Sequence, residues 1–344
     1  MRIELPISKS IANRLLILQA IHGDGLMTVS CDMPDDVRIM SEAIRLLGER
    51  REARIDLGNC GTAMRFLTAY CAQLEGQTTI LDGVERMHHR PIGQLVDALR
   101  EIGADIEYLG EEGFPPLRIK GCILDKRRIV TINNPQSTQF VSALLLIGAN
   151  VQTDSTSPYI YITQEVIKQY QLSPFSYHLS VEKDWSSAAF WYEYVALYGG
   201  EITLLGLSRD SLQGDKVIAD IFAHLGIYTT YTAEGAVISS SPLHPTPYTL
   251  HHDFSACPDL YPAIALTCER LGVELHATGV ESLPLKESDR LRAVAEHRTD
   301  ADHRMAMALL IAGYEVDDTA CISKSYPQFM EQFRQLRKKV IVSE

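Results

Sequence analysis

Residues 8–21 read Ser-Lys-Ser-Ile-Ala-Asn-Arg-Leu-Leu-Ile-Leu-Gln-Ala-Ile, a short polar turn that leads into an apolar segment. Ile11, Leu15 and Leu18 are spaced i, i+4 and i+7, which places them on one buried face of a helix. The same arrangement of a polar or glycine-containing turn before an apolar helix recurs at 59–62, 136–138, 184–187, 258–259 and 302–303. Six such turns predict a chain built from six repeated units.

Between the apolar helices lie more polar segments with two other patterns. Amphipathic helices with charged outer faces are predicted over 33–48, 91–106, 214–228 and 325–339. Short segments rich in β-branched and aromatic residues predict strands over 116–123, 159–163, 201–207 and 273–280. These interleaved strands argue against a helical solenoid and favour a mixed α/β chain.

Length and charge limit the possible classes of protein. The chain has 344 residues, which exceeds one ordinary core and predicts two domains of three repeated units each. Asp and Glu total 44 against 32 Lys and Arg, a formal net charge of -12, which argues against a binder of nucleic acid or of anionic membranes. A local basic site for a small anion is compatible with this balance.

The seven cysteines form no Cys-x-x-Cys pair, and no signal peptide is recognisable, so we expect a cytoplasmic protein with reduced thiols.

The turn at residues 8–10 contains groups that are suited to binding an anion. Lys9 and Ser10 open a helix whose unpaired N–H groups attract negative charge, and Arg14 follows Ser10 on the same face. The alternative is a plain helix cap with a solvated lysine and arginine. Taken alone, the turn is compatible with both interpretations.

Further turns of the first half add neutral groups and one more cation. Gly61, two residues after Asn59, permits close approach of the backbone to a ligand. Arg86 lies in a loop ahead of Pro91, where it can point toward a ligand. Hydroxyl and amide groups at the next helix start are Ser137, Thr138 and Gln139. Each motif alone is explained more simply as a turn, a cap or a surface charge.

The second half of the chain supplies the ionisable groups. Asp259 stands at the head of an apolar helix, where its simplest role is to interact with the helix dipole. Acidic, basic and imidazole side chains follow at Lys286, Glu287, Arg290, His303, Arg304 and Lys324. An exposed ladder of ion pairs would also account for the segment 286–290. No metal-ligand spacing, nucleotide-binding glycine loop or serine-hydrolase motif accompanies them, so those activities are not expected.

The order of the motifs along one chain is more specific than any single motif. S-K-S-I-A-N-R, L-G-N-C-G-T-A-M-R, E-R-M-H-H-R-P-I, S-T-Q-F, L-Q-G-D, P-D, K-E-S-D-R-L and D-H-R-M-A-M follow one another. Over essentially the whole chain this series resembles the 5-enolpyruvylshikimate-3-phosphate (EPSP) synthase family. The resemblance implies a two-domain inverted α/β barrel with six βαβαββ-type units, three per domain. It implies an N-terminal domain at 7–183 and a C-terminal domain at 184–344 joined by residues 1–6, with hinge crossings near Pro6 and Lys183.

The resemblance also implies an activity. The family transfers the enolpyruvyl group of phosphoenolpyruvate to the 5-hydroxyl of shikimate 3-phosphate, which belongs to the shikimate pathway, and it is the target of the herbicide glyphosate. No metal or other cofactor is implied, and we expect a monomer whose partners are these small molecules. The residues implied for proton transfer are Asp259, Glu287, Lys9 and His303.

Substrate contacts are implied residue by residue. Those for shikimate 3-phosphate are Lys9, Ser10, Arg14, Ser137, Thr138, Gln139, Thr156, Tyr159, Asp259, Ser282 and Lys286. Those for phosphoenolpyruvate are Lys9, Asn59, Gly61, Arg86, Gln139, Arg290, Arg304 and Lys324. Three positions depart from the family pattern, because Thr138 and Thr156 replace serines and Ser282 replaces an asparagine.

Three joins are shorter than the strand–loop–strand stretches of the family, namely 48–56, 166–178 and 295–301. Either strands are absent from this protein or loops are absent from the sequence, and the intact motifs on both sides favour the second explanation.

The alternatives for function are a catalytically silent metabolite-binding homologue, UDP-N-acetylglucosamine enolpyruvyl transferase and an RNA 3′-terminal phosphate cyclase-like protein. The UDP-N-acetylglucosamine enolpyruvyl transferase is disfavoured because it has Lys-Asn where this chain has Lys9-Ser10. The RNA cyclase-like protein is disfavoured because acidic residues outnumber basic ones in this chain.

Overall fold

The structure is a computed structural model that describes residues 1–172, 181–241 and 248–342. Within those residues the helices are α1 (Lys9–His22), α2 (Asp35–Glu49), α3 (Gly61–Ala72), α4 (Gly93–Glu101), α5 (Thr138–Leu146), α6 (Pro158–Leu172), α7 (Trp185–Tyr198), α8 (Ile218–Ala223), α9 (Tyr261–Leu271), α10 (Arg290–Ala295), α11 (His303–Ala312) and α12 (Phe329–Val342). The strands are β1 (Arg2–Glu4), β2 (Glu52–Asp56), β3 (Thr78–Asp82), β4 (Asp105–Tyr108), β5 (Leu117–Lys120), β6 (Ile129–Thr131), β7 (Asn150–Gln152), β8 (Glu201–Leu205), β9 (Ile227–Thr232), β10 (Gly235–Ser240), β11 (Thr249–Asp253) and β12 (Glu274–Thr278). The chain is therefore mixed α/β.

The chain divides into two compact units. The N-terminal unit consists of Lys9–Cys31 and Asp36–Val181, and the C-terminal unit of Met1–Ser8, Asp32–Asp35 and Glu182–Glu344. The N-terminal strand and the start of the second half meet inside the C-terminal unit, where Ile7 forms an antiparallel bridge with Lys183.

The N-terminal unit contains a four-stranded sheet in the order β2-β3-β5-β4. Strands β2 and β3 are parallel and are connected by α3, whereas β5 runs antiparallel to both of its neighbours. A second parallel pair, β6 and β7, is connected by α5. Helices α1, α3, α5 and α6 pack against one another. The helices that begin with the polar turns therefore form the centre of this unit.

The C-terminal unit repeats this plan. Its four-stranded sheet has the order β1-β8-β10-β9, with β1 parallel to β8 and β10 antiparallel to both neighbours. Strands β11 and β12 form a parallel pair connected by α9. Helices α7, α9 and α11 pack together, and α7 adds a buried aromatic cluster in which Trp191 donates to the Tyr326 hydroxyl at 3.0 Å.

The repeated pattern of the sequence is confirmed for the helices. The six predicted apolar helices are α1, α3, α5, α7, α9 and α11, and the four amphipathic ones are α2, α4, α8 and α12. Complete βαβαββ units occur twice, as β2-α3-β3-α4-β4-β5 and as β1 with α7-β8-α8-β9-β10. Two further units keep a parallel strand pair, and within the described residues α11 and α12 have no strand between them. Six complete units are therefore not confirmed.

The chain continues directly across two of the short joins. Helix α2 ends at Glu49 and β2 starts at Glu52, and α10 ends at Ala295 before α11 starts at His303. The third join lies partly outside the described residues. No helix in the part of the chain that the structure describes combines the length and apolarity needed to span a membrane.

One predicted strand is wrong. Residues 159–163 alternate between aromatic and β-branched side chains, but they belong to α6. Pro158 fits the first turn of a helix, and the buried residues Ile160, Thr163, Val166 and Tyr170 recur every three or four positions. The longer helical period therefore outweighs the five-residue alternation. The other predicted strands are confirmed as β5, β8 and β12.

Candidate active site

Asp259 is the centre of a charged cluster in the C-terminal unit. It lies in the 3-10 helix Pro258–Leu260, which leads into α9. Its Oδ1 accepts hydrogen bonds from Lys286 Nζ at 3.2 Å and from Arg290 Nη1 at 2.8 Å, and its Oδ2 accepts one from Arg304 Nη2 at 2.9 Å. The structure thus brings together four residues that the sequence analysis had selected separately.

Arg290 lies within the cluster with only 1% of its surface exposed. Besides Asp259 it contacts Glu287 Oε2 through Nη2 at 2.9 Å and Asp302 Oδ2 through Nε at 2.8 Å. Burial lowers the pKa of Arg290, but the Asp302, Asp259 and Glu287 carboxylates raise it by more, so the net direction is upward. This guanidinium stays charged because three carboxylates stabilise it.

Asp302 was not selected from the sequence as a site residue, yet it orients the cluster. It is fully buried and caps α11 by accepting from Arg304 N at 2.9 Å. Its other oxygen accepts from Ser288 Oγ at 3.2 Å as well as from Arg290. One carboxylate therefore fixes both the start of α11 and the position of Arg290.

Glu287 and Lys324 form a second pair in the same unit. Lys324 Nζ donates to Glu287 Oε1 at 2.8 Å. Glu287, Asp302 and His303 offer ligand-type atoms within 4.8 Å of one another, an arrangement that could hold a metal ion. Arg290 donates to both carboxylates of that group, so the protein's own cation accounts for their proximity. His303 is fully buried, with Nδ1 3.8 Å from Asp302 Oδ1.

Asp215 is a further buried carboxyl beside this cluster. It precedes α8, its Oδ2 accepts from the Ser186 hydroxyl, and its Oδ1 has no hydrogen-bond partner among the described residues. Burial and the negative charge of Asp259 raise the pKa of Asp215 to about 7, against the opposing effects of Ser186 and Arg304. Its motif, L-Q-G-D, belongs to the series that carries the family resemblance, but no role is predicted for Asp215 from the sequence.

In the N-terminal unit, Lys9 begins α1 and pairs with Asp36 at 3.0 Å. Arg14 is buried one turn later and donates only to neutral oxygens in its described contacts. These acceptors are Ser10 O at 2.7 Å, Thr163 Oγ1 at 2.7 Å, Tyr159 O at 3.0 Å and Ser142 Oγ at 3.3 Å. Burial lowers the pKa of Arg14 to about 10. Arg14 therefore joins Ser10 to Tyr159, two other predicted site residues.

Gly61 is the first residue of α3 and lies against two arginines. A Cβ at this position would be 2.5 Å from Arg90 Nη2, 2.6 Å from Arg90 Nη1 and 2.7 Å from Arg65 Nη1. Arg90 also donates to the Asn59 carbonyl at 3.3 Å. Arg90 is not among the site residues predicted from the sequence, whereas Arg86, which is, lies partly exposed in the 3-10 helix Glu85–His89. The signal available for Arg90 was its position directly before Pro91.

The start of α5 is tied to the start of α3. Ser137 caps α5 by accepting from Gln139 N at 3.3 Å, and Gln139 Nε2 donates to Thr62 Oγ1 at 2.9 Å. Thr138 is the first residue of α5. Two helix N-termini, with their unpaired N–H groups, are thereby held together near the buried Arg90, and such groups favour anions.

The remaining predicted residues lie in two other places. Thr156 is exposed and lines a cavity of about 770 Å³ together with Thr131, Asn133, Thr153, Asp154, Ser155, Ser157 and Tyr161. That lining contains no lysine or arginine, so it is a poor phosphate site by itself. In the C-terminal unit, Ser282 precedes the 3-10 helix Leu283–Leu285.

The chain is similar to known proteins over nearly its full length. The family described as EPSP synthase (3-phosphoshikimate 1-carboxyvinyltransferase) matches residues 49–173, 147–299 and 294–333. A 3-phosphoshikimate 1-carboxyvinyltransferase of Bacteroides fragilis is 37% identical, over 99% of this chain and 96% of the relative. One of Cellvibrio japonicus is 31% identical, over 97% and 96%. The alignment with the first spans 404 positions, more than the 344 residues of the chain, so the relative has residues that this chain lacks.

Solved structures resemble the fold. The EPSP synthase of Acinetobacter baumannii, at 2.37 Å, superposes with a TM-score of 0.68 at 20% identity, over 97% of this chain and 95% of that one. At this identity the likeness concerns the fold alone.

Proposed function

The chain belongs to the EPSP synthase family, and from this premise we propose how its residues carry out the 3-phosphoshikimate 1-carboxyvinyltransferase reaction. The enzyme transfers the carboxyvinyl group of phosphoenolpyruvate to the 5-hydroxyl of shikimate 3-phosphate and releases phosphate, a step of the shikimate pathway for aromatic amino acids. The single observation that supports our assignment of roles is the Asp259 carboxylate, bonded to Lys286, Arg290 and Arg304.

Asp259 is proposed as the base of the addition step. It takes the proton of the 5-hydroxyl while that oxygen attacks C2 of phosphoenolpyruvate, and protonated Glu287 gives a proton to C3. In the elimination step Glu287 removes a proton from the new methyl group and the C2–O bond to phosphate breaks. The phosphate leaves with the proton that Asp259 took from the hydroxyl, so Asp259 is again a carboxylate. Glu287 thus serves as acid first and as base second, which restores its starting state. Lys9 and His303 are proposed to assist proton transfer.

The basic residues are proposed to bind the anionic groups of the substrates. Two phosphates and two carboxylates carry about five to six negative charges, since a phosphate monoester carries about -1.5 to -2 at neutral pH. Arginine suits such oxyanions because its guanidinium donates two parallel hydrogen bonds. In the C-terminal unit Arg290, Arg304 and Lys324 are proposed for phosphoenolpyruvate and Lys286 and Ser282 for shikimate 3-phosphate.

In the N-terminal unit, the proposed contacts with shikimate 3-phosphate involve Lys9, Ser10, Arg14, Ser137, Thr138, Gln139, Thr156 and Tyr159. Those with phosphoenolpyruvate involve Lys9, Asn59, Gly61, Arg86 and Gln139. We add Arg90 to the second set, because its guanidinium lies against Gly61 and Asn59. These assignments are consistent with the buried, cationic surroundings of Gly61.

Phosphate release from phosphoenolpyruvate, measured with and without shikimate 3-phosphate, tests the reaction. We expect release only when both substrates are present, with EPSP formed in equal amount. Release independent of shikimate 3-phosphate, or release that instead requires UDP-N-acetylglucosamine, would overturn the proposal.

The finer architecture is also a proposal. Each unit is proposed to be a shortened inverted α/β barrel derived from three βαβαββ-type repeats, with domains at 7–183 and 184–344 and hinges near Pro6 and Lys183. The repeated strand orders β2-β3-β5-β4 and β1-β8-β10-β9 support this relation. A monomer that acts in the cytoplasm is proposed as well.

A further inference from the structure

The basic residues proposed to bind anions in the C-terminal unit are all bonded to carboxylates of that unit. Asp259 accepts from Lys286, Arg290 and Arg304, at 3.2, 2.8 and 2.9 Å. Glu287 accepts from Arg290 and Lys324, at 2.9 and 2.8 Å. The two carboxylates proposed as acid and base therefore engage the same donors that a carboxylate or phosphate of the substrate requires.

The N-terminal unit differs in this respect. Its buried Arg14 donates to two carbonyls and two hydroxyls, and Arg90 donates to the carbonyl and side-chain oxygen of Asn59. Neutral acceptors leave the charge of a guanidinium uncompensated, so an anion that arrives at Arg14 or Arg90 displaces no carboxylate in their described contacts, whereas Lys9 is paired with Asp36. In the C-terminal unit an anion must displace a carboxylate.

Such pairing has a chemical consequence for Asp259 and Glu287. A carboxylate that accepts hydrogen bonds from several cations is stabilised in its charged form and is a weak base. When a substrate anion draws those cations away, the same carboxylate loses that stabilisation in a partly buried position, and its affinity for a proton rises.

We propose that Asp259 and Glu287 compete with the anionic groups of the substrate for Lys286, Arg290, Arg304 and Lys324, and that this exchange of ion-pair partners raises the proton affinity of both carboxylates. Asp259 then becomes an effective base, and Glu287 takes up the proton that it first donates. The inference rests on the proposed function and adds how its base and its acid acquire their proton affinity. Anion binding and proton affinity are then reciprocally coupled, since each changes the other by the same factor.

Asp302 holds Arg290 in position while Arg290 changes ion-pair partners. It is fully buried, it caps α11, and it accepts from Arg290 Nε at 2.8 Å and, at the longer distance of 3.4 Å, from Arg290 Nη2. When Nη1 and Nη2 turn from Asp259 and Glu287 to a substrate anion, Arg290 keeps one buried counter-charge. Arg290 therefore changes partners without losing its position.

The first test is the affinity for phosphoenolpyruvate alone, measured by calorimetry at about pH 8, where its phosphate is fully ionised. Without shikimate 3-phosphate no turnover competes. Removing an internal competitor should tighten binding, so we expect Asp259→Asn and Glu287→Gln each to bind about tenfold more tightly than wild type. The matched control is Asp289→Asn, which removes one charge nearby, contacts none of the four cations in its described bonds and keeps an oxygen to cap α10.

If Asp259→Asn and Glu287→Gln gain no more affinity than Asp289→Asn, the exchange is wrong. Thermal unfolding of each variant checks that the fold is kept.

A second measurement uses the wild type and sulfate as the anion. Sulfate does not titrate above about pH 3, so any proton taken up on binding goes to the protein. We expect sulfate binding to wild type at about pH 5.5 to take up protons, seen as a dependence of the binding heat on the ionisation enthalpy of the buffer. Binding of sulfate without proton uptake would overturn the proposal.

The two hypotheses fail separately. If phosphate release does not require shikimate 3-phosphate while Asp259→Asn still binds phosphoenolpyruvate more tightly than Asp289→Asn does, the proposed function is wrong and the exchange stands. If turnover is normal and the variants show no gain over the control, the function stands and the exchange is wrong.

Discussion

Asp259 Oδ1 and Arg290 Nη1 are 2.8 Å apart, and the arginine is almost fully buried. The pair joins two elements that are 31 residues apart in sequence, the head of α9 and the start of α10. Removing one partner of a buried ion pair leaves the other charge uncompensated, which is more costly than the pair itself is favourable. Replacements of Asp259 are therefore expected to affect catalysis and stability by separate routes.

For Asp259→Asn we expect kcat to fall about 10²–10⁴-fold, because the amide cannot take the proton of the attacking hydroxyl. Its carbonyl oxygen still accepts a hydrogen bond, so the variant should lose less stability than Asp259→Ala, although both remove the same charge. Asp259→Ala should lose the same activity and, in addition, roughly 3 kcal/mol of stability. Phosphate release and urea unfolding measure the two effects. Near-normal turnover in either variant would show that Asp259 is not the base.

For Gly61→Ala we expect weaker binding of phosphoenolpyruvate and of glyphosate. The new Cβ would lie within 2.7 Å of Arg90 and Arg65, so both guanidiniums must move. An increase of about tenfold in KM for phosphoenolpyruvate and in the inhibition constant of glyphosate is expected, since a displaced charged hydrogen bond costs about 1.5 kcal/mol. Gly48→Ala is the control, because a Cβ there meets nothing within 4 Å. An unchanged inhibition constant in Gly61→Ala would contradict the placement of Gly61.

Arg90 and Arg86 can be separated by the same assay. Arg90 is buried and contacts Asn59, whereas Arg86 is partly exposed. We expect Arg90→Gln to raise KM for phosphoenolpyruvate by about 10²-fold, the effect of losing a buried, charge-assisted contact of about 2–3 kcal/mol. Arg86→Gln should change KM less. The reverse order would restore Arg86 as the principal contact and leave Arg90 as a structural residue.

Local signals in the sequence were enough to predict the helices of the repeats. Caps, glycines and 3.6-residue periodicity located α1, α3, α5, α7, α9 and α11, because each signal lies within a few residues of the helix that it controls. The strand predicted at 159–163 was wrong because five residues fit two periods, and only the continuation to Tyr170 favours the helix.

Contacts between segments that are distant in the sequence could not be predicted from such local patterns. Arg90 lies against Gly61, 29 residues earlier in the chain, and within the E-R-M-H-H-R-P-I segment only its position before Pro91 distinguishes it from Arg86. Likewise, the three cations around Asp259 come from Lys286, Arg290 and Arg304. The sequence showed suitable residue types in a recognisable order, whereas their pairing depends on how α9, α10 and α11 pack.

Asp215 leads to a prediction about the pH dependence of turnover. Burial and the charge of Asp259 raise the pKa of Asp215 to about 7, so this carboxyl is neutral below that pH and negative above it. A negative charge beside Asp259 makes Asp259 a stronger base. We therefore expect kcat of the wild type to rise as pH passes about 7, and Asp215→Asn to lack that rise. Asp253→Asn, which changes an exposed carboxylate, is the control. An identical profile in Asp215→Asn would exclude this role.

Glu193 leads to a prediction about stability. It lies in the middle of α7, is fully buried, and neither carboxyl oxygen has a hydrogen-bond partner among the described residues. Burial raises the pKa of Glu193 well above its ordinary value. The unfolded chain ionises this group at about pH 4.3, so the folded state is penalised as pH rises from there toward the raised pKa, by roughly 1.4 kcal/mol per pH unit.

Glu193→Met should remove this penalty at nearly constant volume. We expect the variant to be more stable than wild type by about 2–4 kcal/mol at pH 8, with the difference shrinking toward pH 4, where the wild-type group is neutral in both states. Urea unfolding at the two pH values measures this. Glu101→Gln, at an exposed position at the end of α4, should show no such change. If Glu193→Met is equally or less stable than wild type at pH 8, the carboxyl has a partner that stabilises its charged form.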